Sequence, residues 1–444
     1  MSAARTLAWP ERLTLWLYGG LTRALQPWVR RRLARRARHE PLYGEHIPER
    51  FGHYTGHRPE PGAVWVHAVS LGETRAAALL LPALRAAWPG MRLLLTHGTA
   101  TGREQGRSLL LPGDVQVWAP WDSPEAVARF LVHHRPRIGL ILETEVWPQW
   151  VEACARQQLP LVLLNARLNA RSQARAQRLA WLSRPAYGRL GRVLAQSPQD
   201  AERLHTLGCR DVQITGNLKF DVRLDPAHAA VARRWQAGWG TRPVLMFASS
   251  REGEEAQWLA AWLAQREHWP SDGAHRALWL LVPRHPQRFD EVHALLQAAG
   301  LKVIRRSAWG QAGPDAQACA EADVILGDSL GEMPVYYQAS RLALMGGSFA
   351  PLGGQNLIEA MACACPVILG PSVYNFAEAA EWALQAGAAV QVSDLHHALQ
   401  QARVWLEPGE ALAGRAQAGL DLIARQQGAV QATVQGLADW APQA

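Results

Sequence analysis

The feature that most restricts how this chain can fold is a rhythm. From residue 62 onward, short apolar runs alternate with longer helical segments: residues 63–69, MRLLLTH from 91, VQVW from 115, IGLILE from 138, PLVLLNA from 160 and GRVLAQ from 191. Each run has the length of a strand and is followed by a segment of helical pattern, which predicts βαβ units and a parallel sheet. A polar, Ala-rich stretch around 222–242 breaks the rhythm, and PVLMFASS at 243 restarts it. Further strands are expected at ALWLLVP from 277, LKVIRR from 301, ADVILG from 322, RLALMGG from 341, CPVILG from 365 and AAVQVS from 388. The prediction is an α/β chain with two doubly wound, Rossmann-like domains over 41–225 and 243–444, a linker over 226–242 and a distinct segment over 1–40. Such a pair leaves a central cleft, and ligands favour domain interfaces and the carboxyl ends of strands.

Composition narrows the chemistry. The net charge is +8, and Lys219 and Lys302 are the only lysines among 46 basic residues, so the excess is Arg and anionic partners are expected. Five cysteines without a C-x-x-C pair argue against a disulfide framework or a structural zinc site and fit a reducing cytoplasm. The chain has no H-E-x-x-H and no cluster of histidines, so neither a metal nor a cofactor is expected.

The N-terminal segment joins an apolar stretch, Leu13 to Leu25, to six Arg between positions 30 and 38. Gly19, Gly20 and Arg23 interrupt the stretch, and it falls short of the ~20 residues that a spanning helix needs. One reading is a helix lying in an anionic membrane interface, with Trp9, Trp16, Tyr18 and Trp28 at headgroup level and Leu13, Leu15 and Leu17 buried in lipid. The other is a basic helix packed on the protein itself. Nucleic acid is not an expected partner, because the Arg cluster is confined to one terminus and no recognition motif follows it.

Four loops in the first half carry candidate chemistry. In HAVSLGET, Ser70 and Glu73 form an S-x-x-E capping pattern at a strand-to-helix turn; Glu73 either caps the helix or acts as a base at the sheet edge. ETEVWPQW supplies Glu143 and Glu145, NARLNARS supplies Asn165 and Arg167, and GNLKFD supplies Lys219. Glu143 and Arg167 suit either a structural salt bridge or direct chemistry. Ser70, Gly72, Asn165 and Arg167 are the expected acceptor-side residues.

In the second half, the run from Leu344 to Pro371 reads as strand, glycine-rich loop, helix and strand. Gly347, Gly353 and Gly354 would let the backbone approach a ligand, and the helix opening at Gln355 and Asn356 would offer its N–H groups to a phosphate. Tight turns and a capping Asn are the structural alternative. Three other strand ends repeat the design: Ser249, Ser250 and Arg251; Pro283 and Arg284; and Leu330, Gly331 and Glu332. Arg284 suits a phosphate ester, since its planar guanidinium is always charged.

Taken in order, these motifs resemble the 3-deoxy-D-manno-octulosonic acid (Kdo) transferases of lipopolysaccharide synthesis, a resemblance that extends through YGEHIPERFGHY and GPSVYNF to nearly the whole chain. It implies a GT-B fold, an inverting glycosyltransferase, CMP-Kdo as donor and a lipid A precursor (lipid IVA) as acceptor, on the cytoplasmic face of the inner membrane. By the same resemblance Glu73 is the general base, and Glu143 and Lys219 stabilise the transition state. Pro283, Arg284, Leu330 to Glu332 and Asn356, Leu357, Ile358 and Glu359 match the cytidylate-binding motifs. Members often have His at the positions of Gln355 and Ser372 and Pro at that of Leu357. A GT-B transferase or epimerase using a nucleotide-diphosphate sugar is the rival reading.

Overall fold

The computed structural model describes residues 7–271, 276–310, 313–407 and 411–442. It divides into two compact units, one made of Met1–Asp221 with Gln426–Ala444 and the other of Val222–Arg425. Residues 1–6 of the expected N-terminal segment lie outside the described residues.

In the first unit the strands are β1 (Val64–His67), β2 (Leu93–His97), β3 (Val115–Trp118), β4 (Ile138–Leu142), β5 (Leu161–Ala166), β6 (Arg192–Ala195) and β7 (Val212–Ile214). They pair in parallel in the order β3-β2-β1-β4-β5-β6-β7. The order reverses between β1 and β4, a switch point of the kind where open α/β sheets bind ligands. β1 is buried along its whole length. Val64 and Val66 join one core cluster and Trp65 the other, against Phe130 and Trp150. Helices cover both faces, which is why the strand reads as an apolar run interrupted only by His67. Gly139 on β4 is obligatory here, since a Cβ would stand 2.5 Å from Leu161 Cδ1 and 2.9 Å from the Trp65 ring. β7 was not foreseen. It is a three-residue edge strand without a buried position, so no apolar run announces it.

The second unit repeats the plan with β8 (Val244–Ser250), β9 (Leu278–Pro283), β10 (Val303–Arg305), β11 (Val324–Leu326), β12 (Leu342–Met345), β13 (Val367–Leu369) and β14 (Ala389–Gln391). Their order is β10-β11-β9-β8-β12-β13-β14, again all parallel. Two boundaries differ from expectation. The stretch expected as a linker contains a helix, Pro226–Trp239, capped by Asp225 and anchored in this unit by buried Trp235 and Trp239. Trp235 packs on Trp309 and Tyr336. The end of the chain returns to the first unit, where Asp221 accepts from the N–H groups of Gly428 and Val430 at 2.6 and 2.5 Å. There Arg137 and Arg192 donate to the carbonyls of Trp440 and Gly436.

The N-terminal segment forms α1 (Trp9–Ala24) and α2 (Gln26–Ala37), and among the described residues no helix is long and apolar enough to cross a membrane. The packed reading is realised on one face of α1, and the opposite face stands exposed. Leu15, Gly19 and Thr22 are buried against the first unit. The Leu15 carbonyl accepts from Gln149 Nε2 at 2.9 Å, the Thr22 carbonyl accepts from Trp121 Nε1 at 2.8 Å, and Tyr18 hydrogen-bonds Asp122. Leu15 and Tyr18 therefore belong to the protein side, contrary to the reading that put Leu15 in lipid and Tyr18 at headgroup level. Trp9, Leu13, Trp16, Leu17 and Leu21 stand exposed along the opposite face, Trp9 at 75% and Trp16 at 69%. In α2, Arg30 stacks on Phe51, Arg32 on Trp28 and Arg36 on Tyr43, so at least three of the six arginines already have protein partners.

Candidate active site

At the carboxyl end of β1 the chain turns into α3 (Leu71–Ala87), and the capping pattern forms as its residues dictate. Ser70 Oγ accepts from the Glu73 N–H, while the Glu73 carboxylate accepts from the Val69 N–H at 2.7 Å and from Ser70 Oγ at 3.2 Å. The carboxylate is thus held in one orientation with only 8% of the residue exposed. Burial pushes its pKa from 4.5 to about 8; Glu143 and then Glu145 add to the rise, and the Val69 and Ser70 hydrogen bonds oppose it. Gly72, beside it, is exposed, and a Cβ there would meet nothing closer than Ser70 Oγ at 3.8 Å, so the space over the helix start is open.

The neighbouring strand ends complete this edge. Glu143 follows β4 with φ 61°, Asn165 closes β5 with φ 50°, and both are conformations that non-glycine residues seldom adopt. Asn165 Oδ1 accepts from the Leu218 N–H at 3.0 Å, which fixes the turn bearing Lys219. Lys219 Nζ then reaches Glu143 Oε1 at 2.9 Å. The partner of Glu143 is therefore Lys219 and not Arg167, which is half-buried and forms no ion pair among the described residues. Glu145 accepts from Trp147 Nε1 at 2.8 Å, and burial holds its pKa above the ordinary value. Glu73, Glu143 and Lys219 are brought together, with Ser70, Gly72 and Asn165 as their supports.

In the second unit the loop Gly346–Gly354 lies against the end of β8 at backbone contact distance: a Cβ on Gly346 would stand 2.4 Å from the Ser249 carbonyl oxygen. Ser249 itself has φ 54°. Ser250 Oγ donates to Glu255, which also holds Arg288 at 2.8 Å. Pro283 ends β9, and the Arg284 N–H bonds the Ser250 carbonyl at 2.9 Å. His285 is held below its usual pKa by desolvation and then by Arg251, Arg284 and Arg288, so all three guanidiniums lie within electrostatic reach of its ring. Glu332 is already engaged with Arg306 at 2.7 Å and with Ser329, while Leu330 is exposed and Gly331 turns with φ 83°.

Part of the donor set of the glycine-rich loop already has acceptors within the protein. The N–H of Gly353 goes to Ser372 Oγ at 2.9 Å, that of Gly354 to the Gly347 carbonyl at 2.8 Å, and that of Ile358 to Asn356 Oδ1 at 3.2 Å. Leu357 and Ile358 are core residues, each 1% exposed, in a helix of only six residues. Asn356 is its N-cap and Glu359, half-buried, its first-turn acid. Ser372, where the family resemblance leads one to expect His, thus has a local task in holding Gly353. The residue that sequence reasoning missed is Glu254, fully buried, whose carboxylate accepts from Gly347, Phe349 and Ala350 at 2.7 to 3.1 Å. The one signal was its place in SREGEE, where an acid in the first helical turn reads as ordinary capping.

Comparison with known proteins follows the same lines. Residues 45–222 match the family model described as 3-deoxy-D-manno-octulosonic-acid transferase (kdotransferase). The 3-deoxy-D-manno-octulosonic acid transferase of Bordetella pertussis is 45% identical over 95% of this chain and 97% of its own length. The enzyme of the same name from Haemophilus influenzae is 31% identical over 88% of this chain and 90% of its own. In fold the chain is similar to Anabaena HepE, solved in complex with UDP, with TM-score 0.54 and 15% identity over 85% of this chain and 99% of that one.

Proposed function

The chain belongs to the 3-deoxy-D-manno-octulosonic acid transferase family, and from that premise we propose that it transfers Kdo from CMP-Kdo to a lipid A precursor, lipid IVA, in lipopolysaccharide core synthesis. The observation that carries the mechanism is the buried, doubly hydrogen-bonded Glu73 carboxylate with its raised proton affinity at the end of β1. In its ionised form Glu73 removes the proton from an acceptor hydroxyl as that oxygen attacks the anomeric carbon of Kdo. The bond to CMP breaks with its electron pair leaving on the phosphate oxygen, and the configuration inverts. Lys219, held by Glu143, supplies positive charge beside the base. On the donor side, Ser249, Ser250, Arg251, Pro283, Arg284, Gly331, Gly353, Gly354, Asn356 and Glu359 are the proposed contacts, with Arg251 and Arg284 meeting the phosphate. Leu330 and Glu332 flank them, and Leu357 and Ile358 contribute only backbone. No step of this mechanism calls on a metal.

The exposed apolar face of α1 and the arginines of α2 support residence at an anionic membrane surface, which we assign to the cytoplasmic face of the inner membrane. Purified protein, CMP-Kdo and lipid IVA should give products heavier by whole Kdo residues in a mass spectrum. Turnover of UDP-sugars in place of CMP-Kdo would transfer the assignment to the nucleotide-diphosphate reading.

A further inference from the structure

The glycine-rich loop of the second unit contains its own anion. Glu254 Oε2 accepts from the N–H groups of Gly347 at 2.7 Å and Arg251 at 2.8 Å, and Oε1 accepts from Phe349 and Ala350 at 3.1 Å each. Four backbone donors from two segments thus converge on one buried carboxylate. Burial raises its pKa, and these four hydrogen bonds oppose the rise. Across the loop, Ser348 Oγ accepts from Gly370 at 2.7 Å and Ser372 Oγ accepts from Gly353 at 2.9 Å, so the loop is clamped from both sides. The N–H of Leu352 is taken by Ala350 and that of Gly354 by Gly347. A loop of this composition would ordinarily present its N–H groups to a ligand phosphate. Here those of Gly347, Phe349, Ala350, Leu352, Gly353 and Gly354 are occupied, and a ligand anion brought to the same N–H groups would meet the charge of Glu254.

We infer that Glu254 is a positioning residue for the donor: it sets the loop before the donor arrives and leaves the donor phosphate to guanidiniums, principally Arg251 and Arg284. The inference rests on reading the second unit as the donor site. The two residues nearest the clamp fit it. The Arg251 stem runs beside Gly347, its Cγ 3.6 Å from where a Cβ would stand, and Gln355 Nε2 lies 3.1 Å from the same point. Gly347 has φ 69°, so the turn that brings its N–H to Glu254 also keeps that space clear for the Arg251 and Gln355 side chains. Displacing the loop therefore moves Arg251, Gln355 and, through Gly354, the start of the helix that bears Asn356 and Glu359.

The test is Glu254→Gln in the full-length protein, with Glu254→Asp beside it. An amide directs an N–H donor at backbone donors, so the Gln variant should raise the KM for CMP-Kdo, and the Kd for CMP by calorimetry, about tenfold or more. The KM for the lipid acceptor should stay within about twofold of wild type, because its expected site lies on the other unit. Asp keeps the charge on a shorter stem and should show the same split, smaller. A role confined to fold stability would lower the melting temperature and the active fraction without moving either donor constant, and that result overturns the inference. Should the Gln variant not fold, the Asp variant decides by the same criterion. Absence of CMP binding by the wild-type protein would instead remove the donor-site reading on which the inference stands.

Discussion

Replacing Glu73 by Gln should abolish transfer and at the same time stabilise the fold at neutral and alkaline pH. The folded-state pKa is about 8 against an ordinary 4.5. A folded pKa raised in this way means that the folded state binds more protons than the unfolded chain between those two values, so stability falls as pH rises through that window. Below pH 4.5 the carboxyl is protonated in both states and contributes no difference; above pH 8 the penalty is complete, on the order of 5 kcal/mol, and at pH 7 it is about 3 kcal/mol. Gln carries no charge to desolvate and can still accept from the Val69 N–H, but it weakens the exchange with Ser70, a loss of about 1 kcal/mol. The net gain at pH 7 is therefore about 2 kcal/mol. Urea unfolding of wild type and Glu73→Gln at pH 5, 7 and 9, with CMP binding measured alongside, gives the comparison. The variant should be equal or slightly weaker at pH 5 and progressively more stable at pH 7 and 9, with transfer reduced ~10²- to 10⁴-fold. A stability difference that does not change with pH would refute the buried, proton-retaining carboxylate, and near-wild-type turnover would leave Glu73 as a helix cap alone.

The same proton affinity predicts the rate profile: a base of pKa about 8 in the free enzyme makes kcat/KM rise roughly tenfold per pH unit below that value and level off above it, measurable from pH 6 to 9.5. Arg284→Ala should weaken CMP binding by at least about tenfold while the acceptor KM is unchanged, as seen by calorimetry and initial rates. For membrane residence, removing residues 1–38 is a poor probe, because α1 covers buried Asp122 and Gln149 and its loss should destabilise the first unit. The triple change Trp16→Ser, Leu17→Gln, Leu21→Gln alters only the exposed face; it should keep the melting temperature within about 2 °C and cut sedimentation with anionic vesicles. Unaltered sedimentation would place the attachment elsewhere.

How much was readable from the chain alone depends on how local the physics is. The parallel sheets were readable because a strand covered on both faces must be largely apolar, as β1 and β4 are, and because the helices between them keep their own period. Ser70 and Glu73 were readable because a capping box is closed by residues three apart. Short-range rules fail where partners are distant. Glu143 meets Lys219 and not the nearer Arg167, because the chain between them first has to place β5, β6 and β7 and because Asn165 then fixes the turn. α1 has apolar side chains on two faces, and which face is buried follows from where Asp122 and Gln149 stand, more than a hundred residues later.

Glu254 marks the boundary most sharply. By itself the sequence determined that a short acidic segment follows β8 and that a glycine-rich loop follows β12. Only the tertiary structure decided that the acid fills the loop, because β8 and β12 are neighbours in the sheet and their ends emerge side by side. A backbone N–H carries no residue identity, so no pattern of letters records which carboxylate will accept from it; that is settled when the sheet closes and a buried donor without an acceptor becomes too costly to leave.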